Sequence, residues 1–520
     1  MRSVLRIRER RYFLSVRCAD VSKRPADSNY MLLMHTGSVY GGTICRRALA
    51  TRRVFCGRVT FAAERGAHRL PTVPRALTKT YSAQINESRS SASLDTACDL
   101  LSTLKARGLY DNCTDEVGLL EALRKPVKVY CGFDPTADSL HLGNLLGIVI
   151  LAWFQKAGHH PVSLVGGATG RVGDPSGRSL ERPLLSEDAL ASNVSAIRSL
   201  LEKLLADERG SEPTILNNYD WFQSITLLDF LRDTGKFARM GTMLSKDSVR
   251  TRLESEEGLS FTEFSYQLLQ GYDFMHLFRE QGVSVQIGGS DQWGNITAGT
   301  DLIRRVCRED GAYGMTFPLL LKSDGTKFGK SATGAIWLSK ERLSPYKFYQ
   351  YLLQTTDSDV VRLLRMLTFL PLDDISRIEA NMQGRNYIPN SAQTILAEEL
   401  TKFVHGPSGL KEAQLATACL KPGSDTPLDS EALSLVAELI PTVTLNRSSV
   451  IGTPIITVLV DSGLLDSKGA AKRLVLNGGV RLNNVKVHDM EKVVRESDII
   501  GDNMLVLSSG KKNKLLIRLE

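Results

Sequence analysis

One stretch decides the fold, Val127-Lys-Val-Tyr130-Cys-Gly132-Phe-Asp134-Pro135-Thr136-Ala-Asp138-Ser139-Leu-His141-Leu-Gly143-Asn144. The apolar, β-branched run 127–131 predicts a buried strand. The Gly/Asp/Pro turn after it predicts a helix that begins near Ser139, whose hydroxyl can cap it. A strand that leads through a turn into a helix presents unpaired backbone N–H groups and the positive end of the helix dipole. The stretch therefore predicts an anion site suited to a nucleotide phosphate, or an ordinary βα unit with a satisfied histidine.

Several side chains of this stretch can contact a nucleotide. His141 and Asn144 lie three residues apart on the first helical turn, so they face the same way. Thr136 and His141 can donate hydrogen bonds to phosphate oxygens. Gly143 has no side chain, which leaves room for a base or ribose against the backbone.

Glycine-rich turns follow two further predicted strands. The strand 161–165 leads into Gly166–Gly177, which contains Arg171 and Asp174, and the strand 283–287 leads into Gly288–Asn295, which contains Asp291. Strands separated by a helix predict a parallel sheet, and open α/β sheets bind ligands at the carboxyl ends of their strands. Asp291 is suited to gripping ribose hydroxyls, or it caps a turn.

Polar side chains also form a stripe on a predicted helix. Tyr266, Gln270 and Asp273 share one face at 3.6 residues per turn, among apolar neighbours. A buried carboxylate without a partner is costly. The stripe therefore indicates a ligand or a polar network, or else a solvated helix face.

A glycine-bearing loop over 324–331 carries two lysines and a hydroxyl, Lys327, Lys330 and Ser331. Lysines on such a loop can clamp a polyphosphate and close over it. The alternative is plain surface.

Charge is unevenly distributed in this chain, whose net charge is +8. Residues 1–80 hold 17 Lys/Arg against four acidic side chains, so the residues after Thr80 carry a net charge of −5. An arginine-rich, acid-poor leader predicts an organellar transit peptide over residues 1–90, with a basic RNA-binding tail as the alternative. The folded body is expected to bind nucleic acid through local patches.

Composition argues against two other classes of protein. No apolar run reaches the roughly 18–20 residues of a membrane span, so no membrane partner is expected. The eight cysteines include no C-x-x-C pair and no histidine spacing typical of zinc. The sequence therefore predicts neither a disulfide framework nor a protein-held metal site.

The order of these motifs resembles that of the class I aminoacyl-tRNA synthetases, whose two signatures match His141-Leu-Gly-Asn144 and Lys327-Phe-Gly-Lys-Ser331. The stretches YCGFDPTADSLHLGN, GGATGRVGDPSG, SYQLLQGYD and IGGSDQWGN are similar to bacterial-type tyrosyl-tRNA synthetases in particular. FLRDTGKFARMGTMLSKDSV and GAIWLS resemble the organellar versions of plants. The resemblance covers the chain from about residue 92 to its end. Two residues depart from the family pattern: Asn144 stands where histidine is usual, and Gly329 where serine is commoner.

The resemblance implies a role for each matching residue. The implied tyrosine contacts are Tyr130 and Asp273 for the phenol, Asp174, Tyr266 and Gln270 for the ammonium, and Gln286 and Gln292 for the carboxylate. The implied ATP contacts are Cys131, Gly132, Asp134, His141, Gly143, Asn144, Gly289, Asp291, Lys327 and Lys330. The implied catalytic groups, which stabilise the departing pyrophosphate, are Thr136, His141, Asn144, Arg178, Arg182, Lys327, Lys330 and Ser331.

The resemblance also implies the domain organisation after the leader. It gives an α/β fold, with a Rossmann-like parallel-sheet catalytic domain over 91–340 and a helical dimerisation insertion at about 225–285. An all-α anticodon-binding domain over 341–450 follows. The chain then ends in an α+β, S4-like RNA-binding domain over 451–520, with a hairpin around Asn483-Asn484. The residues implied to contact tRNA are Lys468, Lys472, Arg473, Arg481 and Lys486.

The implied activity is that of a tyrosine-tRNA ligase in mitochondria and/or chloroplasts. Its substrates are L-tyrosine, ATP with Mg²⁺, and tRNA(Tyr), and it is expected to form a homodimer. The tyrosine carboxylate is already a nucleophile, so the reaction needs no general base. Two alternatives stay open: a tryptophanyl relative, against which Tyr130 and Asp273 argue, and an RNA-binding or splicing protein in which catalysis is lost or secondary.

Overall fold

The computed structural model describes residues 97–177, 185–206, 213–331, 334–424, 426, 428–437, 439–511 and 513–520. The predicted transit peptide, residues 1–90, lies outside the described residues.

A six-stranded sheet forms the centre of the α/β domain. Its strands are β1 (Asn112–Cys113), β2 (Lys128–Phe133), β3 (His160–Val165), β4 (Thr214–Asn217), β5 (Val283–Gly289) and β6 (Tyr313–Phe317). Their order is β1-β6-β5-β2-β3-β4, and every pairing is parallel except that of the short edge strand β1 with β6. The predicted α/β fold with a parallel sheet is thus confirmed. Because the chain leaves β2 towards β3 and later returns beside β2 as β5, the crevice above these strands is where such sheets bind ligands.

Helices pack around this sheet. They are α1 (Ala97–Ala106), α2 (Glu116–Ala122), α3 (Leu142–Lys156), α4 (Glu187–Leu204), α5 (Tyr219–Phe222), α6 (Leu227–Asp233), α7 (Met240–Leu244), α8 (Asp247–Leu253), α9 (Phe261–Gln281) and α10 (Trp293–Val306). Between α4 and α5 the chain forms the edge strand β4, which is four residues long. A four-residue strand is too short to show a period of two, and β4 is held only by its pairing with β3.

Helix α3 begins later than predicted. Its N-cap is His141 rather than Ser139, because the His141 ring accepts a hydrogen bond from the Gly143 N–H while Asn144 Oδ1 accepts one from the His141 N–H. The Ser139 hydroxyl instead donates to the Leu140 carbonyl and accepts from the Ser339 N–H. The helix is apolar on nearly all sides and is buried from Leu145 to Phe154, as expected for a helix in the centre of a core.

A helical domain follows, preceded by the two-residue strands β7 (Lys330–Ser331) and β8 (Gly334–Ala335). Its helices are α11 (Pro345–Leu353), α12 (Asp357–Leu367), α13 (Leu372–Met382), α14 (Ser391–Leu420) and α15 (Ser430–Val436). Helix α14 is interrupted at Gly406 (φ 76°, ψ 177°), just before Pro407. One continuous apolar core runs from Leu100 to Ala413, so the helical domain packs on the α/β domain.

The C-terminal domain combines three helices with a five-stranded sheet. Its elements are β9 (Thr442–Leu445), α16 (Arg447–Val450), α17 (Ile455–Asp461), α18 (Lys468–Leu476), β10 (Val480–Leu482), β11 (Val485–Lys486), β12 (Met504–Ser509) and β13 (Asn513–Leu519). The predicted two-residue hairpin turn is present, with positive φ at Asn483 (51°) and Asn484 (66°). Strand β9 belongs to this sheet, although it lies before residue 451, at which the C-terminal domain was expected to begin. Within the described ranges, no helix combines the length and the apolar character needed to cross a membrane.

Candidate active site

A cavity of about 530 Å³ opens at the carboxyl ends of β2 and β5. The sequence-predicted residues that line it are Tyr130, Cys131, Gly132, Asp134, Thr136, His141, Gly143, Asn144, Asp174, Tyr266, Gln270, Asp273, Gln286, Gly289, Asp291, Gln292 and Lys327. These positions are up to about 200 residues apart in sequence, and the parallel sheet places them at one edge.

Tyr130 and Asp273 lie in the buried end of the cavity. Tyr130 is 1% and Asp273 2% exposed, and the Tyr130 hydroxyl has no hydrogen-bond partner in the described structure. Burial raises the pKa of Tyr130, and the nearby Asp273 carboxyl raises it further. Gln286, opposite Tyr130 on β5, likewise has a buried Oε1 without a partner among the described residues. A buried hydroxyl and a buried amide oxygen left unpaired indicate a place for a polar ligand.

Two residues that sequence analysis missed hold Asp273 in place. Asn218 Nδ2 donates to Asp273 Oδ2 at 3.0 Å, and Trp221 Nε1 donates to Asp273 Oδ1 at 3.0 Å. Burial raises the pKa of Asp273 to about 8, although both hydrogen bonds oppose that shift. Asn218 directly follows β4, so the signal that could have found it is a polar residue after a strand.

Tyr266 belongs to a second network, with Asp134 and Thr169. Asp134 Oδ2 accepts a hydrogen bond from the Tyr266 hydroxyl, and Asp134 Oδ1 accepts one from Thr169 Oγ1, both at 2.8 Å. Thr169 was also missed, and Asn218 Nδ2 donates to its hydroxyl at 3.0 Å. The structure thus places Asp134, which the resemblance assigned to ATP, in contact with a residue of the tyrosine-ammonium set.

Asp174 lies at the centre of a third network. Its Oδ2 accepts from Gln292 Nε2 at 2.8 Å, and its Oδ1 accepts from the Ser176 N–H at 2.9 Å. Asn295, a further missed residue, donates to Gln270 Oε1 at 3.1 Å and to Gln292 Oε1 at 3.2 Å. These contacts bring the predicted polar groups at 174, 270 and 292 together.

The N-terminus of α3 forms another end of the cavity, lined by His141, Gly143 and Asn144. His141 Nδ1 accepts from the Gly143 N–H at 3.1 Å, so a neutral His141 ring carries its proton on Nε2. Asn144 Oδ1 is used in the cap, which leaves Nδ2 as the half of that amide that can donate. Donors and the positive end of the helix dipole therefore point into this end.

Three of the residues that the resemblance assigns to ATP, Cys131, Gly289 and Asp291, line the cavity at and beside β5. Cys131 is 5% exposed, and burial raises the pKa of its thiol to about 12, so it remains a thiol at neutral pH. Burial, and then the neighbouring Asp174, raise the pKa of Asp291.

The loop over 324–331, called the lysine loop below, is linked to α3 by backbone hydrogen bonds through Ile336. The Leu142 N–H donates to the Ile336 carbonyl at 2.8 Å, and the Ile336 N–H donates to the Gly329 carbonyl at 2.9 Å. Gly329 has φ +87°, and a Cβ there would lie 3.0 Å from Leu142 Cβ. Lys327 is exposed on the rim of the cavity. The backbone at 330–331 forms β7, and the side chains of Lys330 and Ser331, like Arg178 and Arg182, lie outside the described parts.

The residues predicted to contact tRNA divide into two groups. Lys468, Lys472, Arg473 and Lys486 are exposed. Arg481, in contrast, is 7% exposed and donates from Nη2 to the Gly423 carbonyl at 3.1 Å. Arg481 therefore faces the helical domain, which corrects the expectation that it faces phosphates.

Two family profiles match the chain. The profile described as "tRNA synthetases class I (W and Y)" matches residues 122–420, and the profile described as "Tyrosine--tRNA ligase SYY-like C-terminal domain" matches residues 433–517.

Similar proteins and structures carry the same name. The chain is 55% identical to the chloroplastic/mitochondrial tyrosine–tRNA ligase of Arabidopsis thaliana, over 81% of this chain and 84% of that protein. It is 51% identical to the tyrosine–tRNA ligase of Protochlamydia amoebophila, over 81% and 99%. The crystal structure of a C-terminally truncated mitochondrial tyrosyl-tRNA synthetase of Aspergillus nidulans superposes with a TM-score of 0.56 at 32% identity, covering 65% of this chain and 98% of that one.

These matches confirm the predicted family and separate the chain from the tryptophanyl alternative. The organellar localisation predicted from the sequence is confirmed by the Arabidopsis relative. The chain belongs to the tyrosine–tRNA ligases, the class I aminoacyl-tRNA synthetases that use ATP to join tyrosine to tRNA.

Proposed function

We propose that both steps of tyrosine–tRNA ligation take place in this cavity. The tyrosine carboxylate attacks the α-phosphorus of ATP, tyrosyl-adenylate forms, and pyrophosphate leaves. The 3′-terminal ribose hydroxyl of tRNA(Tyr) then attacks the tyrosyl carbonyl and releases AMP. The observation that carries the proposal is the presence, in one cavity, of a buried polar end at Tyr130 and Asp273 and an anion-binding helix terminus at His141.

Tyrosine is proposed to enter with its phenol towards Tyr130 and Asp273. The unpaired Tyr130 hydroxyl supplies one hydrogen bond to the substrate phenol, and the fixed Asp273 carboxyl supplies the other. Phenylalanine would leave both groups buried and unpaired. Tyrosyl-tRNA synthetase is known to reject phenylalanine by about 10⁵-fold, and that established value sets the scale of the penalty expected here.

The rest of the amino acid is proposed to meet the two carboxylate networks. The ammonium lies against Asp174, Tyr266 and Gln270, joined by Asp134 because its carboxylate accepts the Tyr266 hydroxyl bond. Gln286 and Gln292 lie beside the substrate carboxylate. Contact with the carboxylate would come from the Gln286 side-chain NH₂, whereas the buried Oε1, which has no partner among the described residues, calls for a donor such as a substrate N–H or O–H group.

ATP is proposed to lie across the N-terminus of α3. The ribose lies beside Cys131, Gly132, Gly289 and Asp291, and the base packs over Gly143, where no side chain intervenes. Attack at the α-phosphorus builds negative charge on the phosphate oxygens. Donors from Thr136, His141 Nε2, Asn144 and the helix terminus, with the ammonium groups of Lys327 and Lys330, stabilise that charge. Arg178, Arg182 and Ser331 are proposed to act in the same step.

Mg²⁺ is proposed to arrive with ATP and to screen the charge of its phosphates. Among the residues that the structure describes, no three His, Cys, Asp or Glu side chains are grouped to hold a metal ion. We therefore propose that the ion is bound mainly by substrate phosphates and water, which is usual for Mg²⁺.

The helical and C-terminal domains are proposed to bind tRNA(Tyr) as one unit, the helical domain at the anticodon and the C-terminal domain through Lys468, Lys472, Arg473 and Lys486. Asn484 Nδ2 donates to the carbonyls of Cys419 and Thr426, and Lys514 Nζ donates to the Cys419 carbonyl at 2.5 Å. Leu433 of α15 and Leu516 of β13 belong to one buried apolar cluster. These contacts support a fixed position of the basic side chains relative to the helical domain.

The helical insertion is proposed to join two copies of the chain. Large apolar side chains exposed there are Leu227, Leu228, Leu231, Met240, Leu244, Leu253 and Phe261, which range from 42% to 77% exposed. A concentration of exposed apolar side chains in one segment is typical of a protein interface. A second copy is the proposed occupant, as the resemblance implies.

Kinetic analysis of matched variants tests these assignments. Tyr130→Phe should raise the KM for tyrosine and increase activation of phenylalanine relative to tyrosine, with little change in the KM for ATP. Lys327→Met should lower kcat for ATP–pyrophosphate exchange with little change in the KM for tyrosine, because the ammonium acts on the developing phosphate charge. Lys125→Met, an exposed lysine away from the cavity, is the control. If both site variants change the same parameter, the assignment of the two ends is wrong.

A further inference from the structure

We infer that His276 is a positioning residue for recognition of the tyrosine phenol, acting through a column of stacked rings that runs from Asp273 to the exposed face of α6. This inference rests on the proposed function, because it deepens the account of the phenol end of the cavity. His276 does not line the cavity, and nothing in the reaction chemistry requires a histidine at that place.

The column begins at Trp221, which donates from Nε1 to Asp273 Oδ1 at 3.0 Å. The His276 ring stacks on the Trp221 ring, with centroids 4.4 Å apart and planes inclined by 24°. The Tyr272 ring also stacks with the His276 ring, with centroids 6.2 Å apart and planes inclined by 25°. Tyr272, Asp273 and His276 all lie on α9, so one rigid helix presents both the carboxyl and the rings that hold its partner.

The stack matters because a hydrogen bond to Asp273 depends on the plane of the indole ring. Trp221 is on the short helix α5, and it is only half-buried. His276 restricts the rotation of that indole and keeps Nε1 directed at the carboxyl. Burial lowers the pKa of His276, so the ring that stacks at neutral pH is the uncharged one. The required property is therefore a flat ring rather than a charge.

The far end of the column reaches α6, which belongs to the helical insertion proposed to join two copies of the chain. Tyr272 packs against Phe222 at 5.3 Å and against Phe230 at 5.8 Å between centroids. Phe230 belongs to α6, which exposes Leu227 (71%), Leu228 (76%) and Leu231 (47%). Covering that face with a second copy would fix α6, and with it the outer end of the column.

Three substitutions at His276 in the full-length protein separate stacking from volume and charge. His276→Phe keeps a flat ring, His276→Leu keeps apolar volume without a ring, and His276→Ala removes both. We expect His276→Leu and His276→Ala to raise the KM for tyrosine in ATP–pyrophosphate exchange about three- to ten-fold, the range that one aromatic pair contributes. The KM for ATP should stay unchanged, and His276→Phe should stay within about twofold of the unsubstituted protein.

The controls keep this inference distinct from the proposed function. His488→Ala, an exposed histidine of the C-terminal domain, should leave exchange unchanged. Thermal unfolding of each variant reports whether it folds, and the Phe and Leu variants decide the question if the Ala variant does not. Equal KM values for the Phe and Leu variants would overturn the positioning role. Failure of the unsubstituted protein to exchange with tyrosine would instead overturn the proposed function and this inference with it.

Continuity of the column is tested by combining His276→Leu with Phe230→Ala. His276 stacks with Tyr272 and Phe230 packs edge-on against the same ring, so their effects on tyrosine binding should be non-additive. Additive effects would show that Phe230 and the α6 face do not support the phenol site.

Discussion

Trp221 Nε1 donates a hydrogen bond to Asp273 Oδ1 across 3.0 Å, at the buried end of the cavity. Burial nevertheless raises the pKa of Asp273 to about 8, since desolvation of the carboxylate outweighs the bonds from Trp221 and Asn218. In the unliganded protein at pH 7, the carboxyl therefore holds a proton for much of the time. The substrate phenol needs an acceptor there, so tyrosine recognition should depend on pH.

The first prediction concerns this pH dependence. The form with Asp273 ionised accepts the phenol proton best, so kcat/KM for tyrosine should rise between pH 6 and pH 8.5 with a midpoint at about 8. Trp221→Phe removes one donor to the carboxylate and should move the midpoint upwards. Steady-state exchange kinetics across this range provide the measurement. A profile that is flat for both proteins would contradict the proposed role of Asp273.

The second prediction concerns packing of the lysine loop on α3. Gly329→Ala should lower exchange activity, because Ala at φ +87° is strained and its Cβ would lie 3.0 Å from Leu142 Cβ. Gly325→Ala is the matched control: it has φ +81° in the same loop, but nothing within 4 Å of the added Cβ. Both variants carry the strain of about 1–2 kcal/mol for a left-handed residue. The difference in kcat between them measures the loop–helix contact, and equal kcat values would argue against it.

The third prediction concerns the dimer face. Phe261 is 77% exposed on the first turn of α9, where an aspartate is compatible with the helix dipole. Phe261→Asp should therefore fold but place a charge in the proposed interface, so light scattering should shift from twice 57.3 kDa towards the single-chain mass. Val117→Asp, on the first turn of α2 and 80% exposed, should remain dimeric. A dimer that survives Phe261→Asp would place the interface elsewhere.

The fourth prediction concerns docking of the C-terminal domain. Lys514→Met removes the ammonium that bonds the Cys419 carbonyl and, at 2.6 Å, Asn484 Oδ1. Loss of these charged hydrogen bonds should lower kcat/KM for tRNA charging about tenfold. Pyrophosphate exchange should be unchanged, because Lys514 does not line the cavity. Lys125→Met should change neither activity. An equal loss of exchange and charging would mean that Lys514 supports the whole fold.

Sequence reasoning was effective where a motif carries its own local pattern. The apolar run at 127–131 predicted β2, and the Gly, Asp and Pro residues after it predicted the turn, because strand and turn preferences depend on residues close together in sequence. The start of α3 was misplaced at Ser139, since the cap is set by two hydrogen bonds, from the Gly143 N–H to the His141 ring and from the His141 N–H to Asn144 Oδ1, and by contacts with the segment at 336–339. That segment comes from almost 200 residues further along the chain.

The residues that were missed or misassigned depend on contacts distant in sequence. Asn218 and Trp221 meet Asp273 only because β4 pairs with β3 and brings α5 beside α9. Arg481 has the sequence context of a surface arginine on a hairpin. Arg481 is buried because β10 packs against the turn at Gly423, whose carbonyl accepts a hydrogen bond from the Arg481 guanidinium. No local sequence pattern predicts that contact.

The most direct test of the central claim is amino-acid-dependent ATP–pyrophosphate exchange with the full-length protein and each of the twenty amino acids. We expect exchange with tyrosine alone, because only tyrosine presents a phenol to Tyr130 and Asp273. Exchange with tryptophan or phenylalanine at comparable efficiency would contradict the phenol assignment. If no amino acid supported exchange while the folded protein still bound RNA, the catalytic proposal would be wrong and the RNA-binding alternative would replace it.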